Sequence, residues 1–291
     1  MIINKHGSFY IRNSWPTKIL ASLQDDTHIF SPNRELHAVD NLGVGRVMVK
    51  AMRYWSTVLG LSTERHDSNG VLTQLTSLGE SIYKYDRFME SKGVLWLLHR
   101  NLVQNIDNAT AWYWAYNVFN KKNFSKKEFV DAFFAYLTNS GLSYEKKLVA
   151  KEFDCFKNTY VSSNTYDLKS IIDEDTTPFF APLHMITSLG NGCYEFNSPN
   201  YNDIDVDVFL YCILQDNDNE NSQISIEYLL EEPEQVGKYM NISFETMMRL
   251  LQKAENKGYI TLVNNFGNRY IEKGDISSSE LLKYYFSKMG A

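Results

Sequence analysis

The chain has 291 residues, of which 44% are hydrophobic and 14% aromatic, so it can form two or three modest domains or one large one. Its net charge of -6 argues against a protein that coats nucleic acid nonspecifically, because such proteins carry an excess of Lys and Arg. The charge is uneven, since residues 1–66 hold eight Lys or Arg against five acids. Any nucleic-acid surface is therefore expected near the N-terminus.

Cysteine usage and the lack of a long apolar run predict a soluble cytoplasmic protein. Cys155, Cys193 and Cys212 are far apart and lack the spacing of metal ligands. The first residues have no apolar core of a signal peptide, and no apolar run reaches the length of a membrane span. We expect no metal, no cofactor and no membrane association.

The N-terminal segment predicts an extended arm and then several helices. Residues 7–16 alternate as in a short strand or arm, and a helix is expected to begin near Pro16. Residues 31–39 form a capped, helix-compatible stretch, and a further helix is expected to begin near residues 76–80.

The stretch 41–59 is the most informative part of the chain, because a glycine turn precedes a two-faced helix. Gly43 and Gly45 form the turn, and the order of helix, turn and longer helix is that of a helix-turn-helix. A strong turn signal at 67–70 separates two short strands. These strands predict the wing of a winged helix.

One face of the longer helix predicts DNA recognition. At 3.6 residues per turn, its apolar side holds Met48, Met52, Trp55 and Leu59, and another side holds Arg46, Lys50, Arg53 and Thr57. The cations have no acid within the helix to neutralise them. The predicted DNA-binding residues are Arg46, Lys50, Arg53, Thr57, and Arg65 and His66 on the wing. The alternative is a solvated face, or cations that pair with acids from the middle of the chain.

The middle of the chain predicts an aromatic helical bundle. Helices are expected over 93–102, 109–119, 129–137 and 146–156. The predicted bundle core is Trp96, Trp112, Trp114, Phe119, Phe133 and Phe134. Residues 162–176 are mostly polar and predict a loop or connector.

The C-terminal part predicts a second helix-turn-helix with a hairpin. A short helix and strand are expected over 178–196, and a buried helix over 206–214. Ser243 is expected to cap a helix over 244–257, with strands following it. Its predicted buried face is Phe244, Met247, Leu251 and Ala254, and its outer face is Glu245, Arg249, Lys253 and Asn256. The outer face is mixed in charge and less suited to phosphates.

The predicted fold is mainly α with small β-wings, in which two winged-helix-like modules flank the aromatic bundle. The predicted domains are residues 1–85, the N-terminal arm and winged-helix-like domain, residues 86–176, the bundle, and residues 177–291, the C-terminal winged-helix-like domain.

Several motifs, in order, resemble an uncharacterised bacterial family, the domain-of-unknown-function family 4007. They are His6-Gly-Ser-Phe-Tyr-Ile-Arg12, Leu42-Gly-Val-Gly-Arg-Val-Met-Val-Lys-Ala-Met-Arg-Tyr-Trp55, Leu95-Trp-Leu-Leu-His-Arg100, Trp112-Tyr-Trp-Ala-Tyr-Asn117, Asn158-Thr-Tyr160 and Leu282-Lys-Tyr-Tyr285. The resemblance covers nearly the whole chain. It departs where this chain has His6-Gly-Ser-Phe9 instead of His-Glu-Thr-Phe, and Arg46-Val47 instead of Lys-Asn.

The resemblance implies a context in DNA modification, because members of this family often lie beside genes for DNA phosphorothioation and phage defence. It carries over no catalytic residue. We therefore expect a noncatalytic DNA-binding subunit of such a system, with double-stranded DNA and sulfur-modification or restriction proteins as partners. The alternative is a scaffold that holds the modification enzymes with little direct DNA contact.

An enzyme has less support from the residues. His99 beside Arg100, and His6, could serve in catalysis, but a lone histidine near a tryptophan-rich helix is more often a satisfied core residue. The glycine turn lacks the spacing of a phosphate loop. The carboxylates Asp203, Asp205 and Asp207 resemble a helix entry more than a metal site.

Overall fold

A computed structural model of the chain describes residues 1–161, 177–218, 221–265 and 267–290. The connector predicted over 162–176 lies outside the described residues. The described part is mainly helical with small antiparallel sheets, which confirms the predicted fold class at this level. No helix in the described ranges is long and apolar enough to cross a membrane.

The N-terminal region consists of four helices and a β-hairpin. Its elements are α1 (Trp15–Asp25), α2 (Glu35–Leu42), α3 (Arg46–Val58), β1 (Ser62–Asp67), β2 (Gly70–Leu75) and α4 (Ser77–Tyr85), with a 3-10 turn at Pro32–Arg34 before α2. Helices α1 and α4 begin near Pro16 and residue 76, as the sequence predicts. The Thr76 hydroxyl caps α4 by accepting a hydrogen bond from the backbone N–H of Gly79 at 3.0 Å.

The middle region contains the four predicted helices and one strand that was not predicted. Its elements are α5 (Lys92–Val103), α6 (Thr110–Asn117), β3 (Asn123–Ser125), α7 (Lys126–Asn139) and α8 (Lys146–Tyr160). Of the predicted bundle core, Trp96, Trp112, Trp114 and Phe133 are buried and Phe119 and Phe134 are partly buried. A capping box of Ser125 and Glu128 fixes the start of α7.

The C-terminal region begins with a 3-10 turn and two strands. Its elements are β4 (Ile186–Gly190), β5 (Cys193–Phe196), α9 (Val206–Asp216), β6 (Gln223–Ser225), α10 (Ile226–Glu231), α11 (Val236–Tyr239), α12 (Phe244–Asn256), β7 (Ile260–Asn265), β8 (Asn268–Lys273) and α13 (Ser278–Ser287), with 3-10 turns at Ala181–Leu183 and Tyr201–Asp203. The Ser243 hydroxyl caps α12 as predicted.

Three antiparallel sheets tie these elements together. The strand orders are β1-β2, β3-β5-β4 and β6-β8-β7. In the second sheet, Phe124 of β3 lies opposite Tyr194 of β5, so strands from either side of residue 176 share one sheet. The predicted domain boundaries stay a prediction, and this sheet joins the middle and C-terminal regions.

The buried side chains form a continuous core through the described regions. Trp55 of α3 and Trp112 of α6 meet edge to face, with ring centroids 5.4 Å apart. The N-terminal arm is irregular rather than a regular strand, and it packs onto this core, where the indole N–H of Trp55 donates to the Phe9 carbonyl at 2.9 Å. The arm therefore helps to fix the position of α3.

Candidate nucleic-acid interface

The glycine turn sets the start of α3. Gly43 ends α2 in the left-handed region with φ +65°, where a side chain would be strained, and its N–H donates to the Val39 carbonyl at 3.0 Å. Gly45 is the N-cap of α3 and has φ -68°, so its backbone conformation does not require glycine. Neither glycine would meet a clash on gaining a Cβ. The turn therefore needs glycine at one of the two positions.

The buried side of α3 agrees with the predicted apolar side. Met52, Trp55 and Leu59 are fully buried, and Met48 is partly buried. Tyr54 is also buried, and its hydroxyl donates to the Asn108 carbonyl at 2.9 Å. This burial anchors the helix and leaves the predicted cationic residues on its remaining surface.

Arg46 and Lys50 are the most open of the predicted residues on α3. Their side chains are 63% and 75% exposed. Both face Glu35 at the start of α2, with N–O distances of 3.7 Å for Arg46 and 3.6 Å for Lys50. These distances are too long for hydrogen bonds, and exposed pairs of this kind contribute about 0–1 kcal/mol. One carboxylate therefore serves two cations and binds neither tightly.

Arg53 differs from these two residues because it is already engaged. Its Nε and a terminal nitrogen donate to the two carboxylate oxygens of Glu64 on β1, both at 2.7 Å. The hydrogen bond with Glu64 raises the pKa of Arg53, although burial opposes the rise. This forked pair ties α3 to the hairpin. The geometry of Arg53 therefore favours a role in positioning the hairpin over a direct contact with a phosphate.

Thr57 lies one turn beyond Arg53 and does not extend the cationic surface. It is partly buried, and its hydroxyl donates to the Tyr54 carbonyl of the same helix at 2.9 Å. Such a bond to the preceding turn satisfies the hydroxyl locally. Its predicted contact with DNA stays a prediction without support from this geometry.

Arg65 and His66 are exposed on β1, near the hairpin turn. Successive side chains of a strand point to opposite faces, so the two cannot both lie on one face of the hairpin. His66 shares its face with Glu64, the partner of Arg53, whereas Arg65 shares its face with Asp67. On the face of Arg65, the hydrogen bond from His28 lowers the pKa of Asp67. Because His66 shares the face of Glu64, which binds Arg53, His66 lies on the side of the hairpin that meets α3.

The partners of the cations are the residues that sequence reasoning missed. Glu35 and Glu64 belong to the N-terminal region itself, so the pairing acids do not come from the middle of the chain as the alternative proposed. Glu64 could have been found, because it lies on the predicted first strand of the wing beside α3. The approach of Glu35 depends on the angle between α2 and α3, which no spacing in the sequence gives.

The histidine considered for catalysis, His99, is a fully buried core residue. Its Nε2 lies 2.8 Å from the Tyr239 carbonyl, and its Nδ1 lies 3.1 Å from the Tyr160 hydroxyl. Burial lowers the pKa of His99 to about 4, although the hydrogen bond to Tyr239 opposes this. A neutral ring that donates from Nε2 and accepts at Nδ1 satisfies both contacts.

Arg100 is also held inside the protein. Its Nε donates to Asp216 at 2.7 Å, and the same carboxylate accepts a hydrogen bond from the Tyr239 hydroxyl at 2.8 Å. Burial lowers the pKa of Arg100, but the Asp216 carboxylate more than offsets this, so the pKa lies above its ordinary value. The pair joins α5 to α9 and α11.

His6 is buried against the rings of Trp55 and Trp112. The Ser8 N–H donates to Nδ1 of His6 at 3.1 Å, so Nε2 carries a proton and donates to Glu152 at 3.0 Å. Glu152 also accepts the Asn4 N–H at 2.8 Å. These contacts hold the arm on α8.

The three aspartates near α9 support the interpretation as a helix entry. Asp205 caps the helix by accepting hydrogen bonds from the N–H groups of Asp207 and Val208. Asp203 pairs with Lys92, and the buried Asp207 pairs with Lys257 and Lys288. Within the described ranges, no group of three or more His, Cys, Asp or Glu side chains could hold a metal ion.

Two solved structures and one family model match this chain. The structure is similar to two solved structures, titled "Magnesium ion-bound SspB crystal structure" and "SspB crystal structure", with TM-scores of 0.83 and 0.81. Each is 22% identical to this chain, and each match covers 99% of this chain and 89% of the other. No curated protein matches the sequence. A family model described as "Protein of unknown function (DUF4007)" matches residues 3–286, so the chain belongs to this family, as its motifs predict.

Proposed function

We propose that the chain is a noncatalytic subunit of a DNA-modification system of the phosphorothioation type, or of a related phage-defence system, and that it binds duplex DNA through the first half of α3. The order of α2, glycine turn, α3 and hairpin supports a winged-helix-like module, and in helix-turn-helix proteins the helix after the turn enters the major groove. The order of β6, α10, α11, α12 and the strands after it supports a second module of the same kind.

One observation carries the proposal of DNA binding. Arg46 and Lys50 lie one turn apart, are more than half exposed and share a single, loosely placed carboxylate. Two open cations at the start of a helix, beside its free backbone N–H groups, suit a phosphate backbone. Recognition helices use this N-terminal half for their contacts. Arg53 supports the surface by holding the hairpin against the helix.

The family context supports the link to DNA modification. The motifs of the chain resemble a family that often neighbours phosphorothioation genes, and the family assignment covers nearly the whole chain. The fold that it shares with SspB agrees with this context. One SspB structure holds a magnesium ion, but the described residues here offer no acidic or histidine cluster for one, and the proposal requires none.

A binding assay with matched variants tests this proposal. Arg46→Ala/Lys50→Ala is expected to weaken binding to duplex DNA at low salt by about tenfold or more, since two phosphate contacts are lost. Lys127→Ala/Lys147→Ala is the control, because both lysines are exposed and the change in net charge is the same. Plain and sulfur-modified duplexes are compared in the same series. Equal binding by both variants, or no binding by the unmodified protein, would contradict the proposal.

A second candidate function is a scaffold for partner proteins. Leu36 of α2 and Val47 of α3 are 64% and 57% exposed, although both are apolar. A groove of about 630 Å³ beside them is lined by Pro32, Leu36 and Arg46, among others. Apolar side chains among cations are typical of protein interfaces as well as of DNA interfaces. A gel-filtration shift with a co-expressed neighbouring protein, and none with duplex DNA, would favour the scaffold.

A further inference from the structure

A cleft between the middle and C-terminal regions holds a second group of cations. We call it the lysine cleft, and its cations are Lys121 and Lys122, between α6 and β3, and Lys238 of α11. Its volume is about 450 Å³, which lies within the range of about 300–1,000 Å³ of small-molecule sites. No sequence motif predicts it, because Lys238 lies more than a hundred residues after Lys121 and Lys122.

Three cations line the lysine cleft, and two of them are paired with acids that lie just outside its lining. The residues that line it include these three lysines and no acid. Lys121 pairs with Glu128 at 2.8 Å and Lys122 with Glu195 at 3.1 Å, and both lysines are more than half exposed. The ammonium group of Lys238 donates to the Asn120 side-chain oxygen at 3.2 Å, which leaves its charge uncompensated there. The cleft therefore favours an anion.

The start of α12 adds to this potential. Ser243, its N-cap, and Phe244, its first residue, both line the cleft. The N-terminus of a helix of thirteen residues carries a partial positive charge, of which Glu245 in the first turn offsets a part. The Ser243 hydroxyl accepts the N–H of Thr246, which leaves the earlier N–H groups for a phosphate oxygen. This adds to the three ammonium groups, which come from two other elements.

The floor and rim of the lysine cleft are aromatic. Tyr116, Phe119 and Phe196 contribute to the lining, and Phe244 at the rim is 38% exposed. The guanidinium of Arg269 lies over the Phe244 ring, with its central carbon 4.5 Å from the ring centroid. Tyr116 and Phe196 are each only 6% exposed, so Phe244 and the partly buried Phe119 offer the ring surface on which a planar ligand can stack.

We propose that the lysine cleft binds a nucleotide, whose phosphate contacts the lysines and whose base lies against the aromatic side chains. The nucleotide is either free or part of a single-stranded nucleic acid, since both present the same phosphate and ring. The site is separate from the α3 surface, because none of its lining residues belongs to α2, α3 or the hairpin. It does not depend on duplex binding by α3.

Titrations with defined probes test the proposal. The probes are ATP, adenosine, inorganic phosphate and a single-stranded oligonucleotide of about ten nucleotides. ATP or the oligonucleotide is expected to bind at least about tenfold more tightly than adenosine or phosphate alone, because phosphate and ring contacts add. The oligonucleotide is titrated against Arg46→Ala/Lys50→Ala, so that any α3 contact is absent. Binding of ATP alone identifies a free nucleotide, and binding of the oligonucleotide alone identifies a strand.

Two kinds of variant locate the binding. Lys122→Ala/Lys238→Ala is expected to weaken it by about tenfold or more, and Lys127→Ala/Lys147→Ala, with the same charge change elsewhere, by less than about twofold. Ser198→Trp fills the cleft from an exposed position on its lining and is expected to abolish binding without altering the lysines. Phosphate that binds as tightly as ATP would overturn the nucleotide assignment. Binding that survives both cleft variants, or no binding by the unaltered protein, would overturn the site.

Discussion

Two helices of the same length, α3 and α12, follow similar turns in the N-terminal and C-terminal regions, yet they present different surfaces. Both span thirteen residues, bury an apolar face and precede an antiparallel hairpin. On α3 the cations Arg46 and Lys50 share one distant carboxylate. On α12 the cations are occupied by neighbours. Burial alone therefore does not distinguish a surface that is open to a ligand from one that is not.

The cations on the outer face of α12 have contacts within their own region. Arg249 donates to Glu245 at 2.6 Å, one turn earlier. Arg249 and Lys253 both lie over the Tyr201 ring, at 5.0 and 4.5 Å from its centroid. Glu245 offsets the charge of Arg249, whereas the Tyr201 ring holds both side chains in place without cancelling the charge of Lys253. The outer face is mixed in charge, as expected from the sequence, and its lower suitability for phosphates stays a prediction.

A second contrast is between ion pairs at the surface and ion pairs that are buried. The open pairs of α3 are at the surface, whereas two other groups of ion pairs are buried or partly buried. Arg100 with Asp216 joins the middle and C-terminal regions, and Asp207 with its two lysines lies within the C-terminal region. A buried ion pair loses its hydration, so removing one partner leaves a charge without compensation. We expect charge changes in α3 to alter binding and charge changes at these buried pairs to alter stability.

The largest expected effect comes from Asp216→Asn. It leaves the guanidinium of Arg100, 12% exposed, without its carboxylate, and should lower the free energy of unfolding by about 3–5 kcal/mol. Chemical denaturation measures the change. Glu35→Gln, which removes an exposed carboxylate from α2, is the control and should change stability by less than about 0.5 kcal/mol. Similar losses of stability in both variants would contradict the distinction between buried and exposed ion pairs.

The next effect is a dependence of stability on pH that arises at His99. Because the pKa of His99 is about 4 in the folded protein and about 6.5 when unfolded, the unfolded chain binds a proton first as the pH falls. As the pH falls from about 7 to about 5, protonation of His99 in the unfolded chain should therefore lower the free energy of unfolding by about 2 kcal/mol. Below about pH 4 its contribution should level off.

Two substitutions isolate this titration. Glutamine at residue 99 can donate to the Tyr239 carbonyl and accept from Tyr160 without titrating, so His99→Gln should flatten the dependence by about 2 kcal/mol between these pH values. His66→Gln on the exposed hairpin should leave the dependence as it is. Denaturation curves at several pH values give the comparison. An unaltered slope in His99→Gln would rule out this origin.

A smaller effect is expected from Arg53→Met. Loss of the forked pair with Glu64 should cost about 1 kcal/mol of stability, because the pair is partly exposed. After correction for stability, duplex affinity should change by less than about threefold, since the guanidinium serves the hairpin. A loss of affinity as large as that of Arg46→Ala/Lys50→Ala would instead show that Arg53 contacts the DNA.

The smallest expected effect is a gain. Glu35→Gln removes the carboxylate that Arg46 and Lys50 share, so duplex affinity at low salt should rise by about threefold to fivefold. Glu245→Gln on α12 is the matched change and should have less than about a twofold effect. Binding titrations at fixed salt measure both. Equal gains would indicate a general effect of net charge rather than one local to α3.

Much of the fold could be predicted from local signals. The helix starts at Thr76 and Ser243, and the hairpin turn at 67–70, depend on neighbouring residues and lie where the sequence places them. Strand β3 was missed because its three residues stand in a sheet only through pairing with β5, about seventy residues later. Such short strands carry little local signal of their own.

The sites were less accessible to prediction because they depend on how elements meet. Phe244 is predicted on the buried face of α12 but is 38% exposed, because it begins the helix at the edge of the core. The position of Glu35 opposite α3 likewise depends on how two helices pack. The lysine cleft could not be predicted either, because its cations come from distant parts of the chain. Periodicity gives the faces of a helix but not the neighbours of each face.

The salt dependence of duplex binding tests the central claim most directly. The logarithm of the affinity falls linearly with the logarithm of the salt concentration, with a slope set by the number of phosphate contacts. Arg46→Ala/Lys50→Ala should lower the magnitude of this slope by about two, and Arg249→Ala/Lys253→Ala on α12 should leave it unchanged. An unchanged slope in the α3 variant, or an equal loss in the α12 variant, would contradict the assignment of DNA binding to α3.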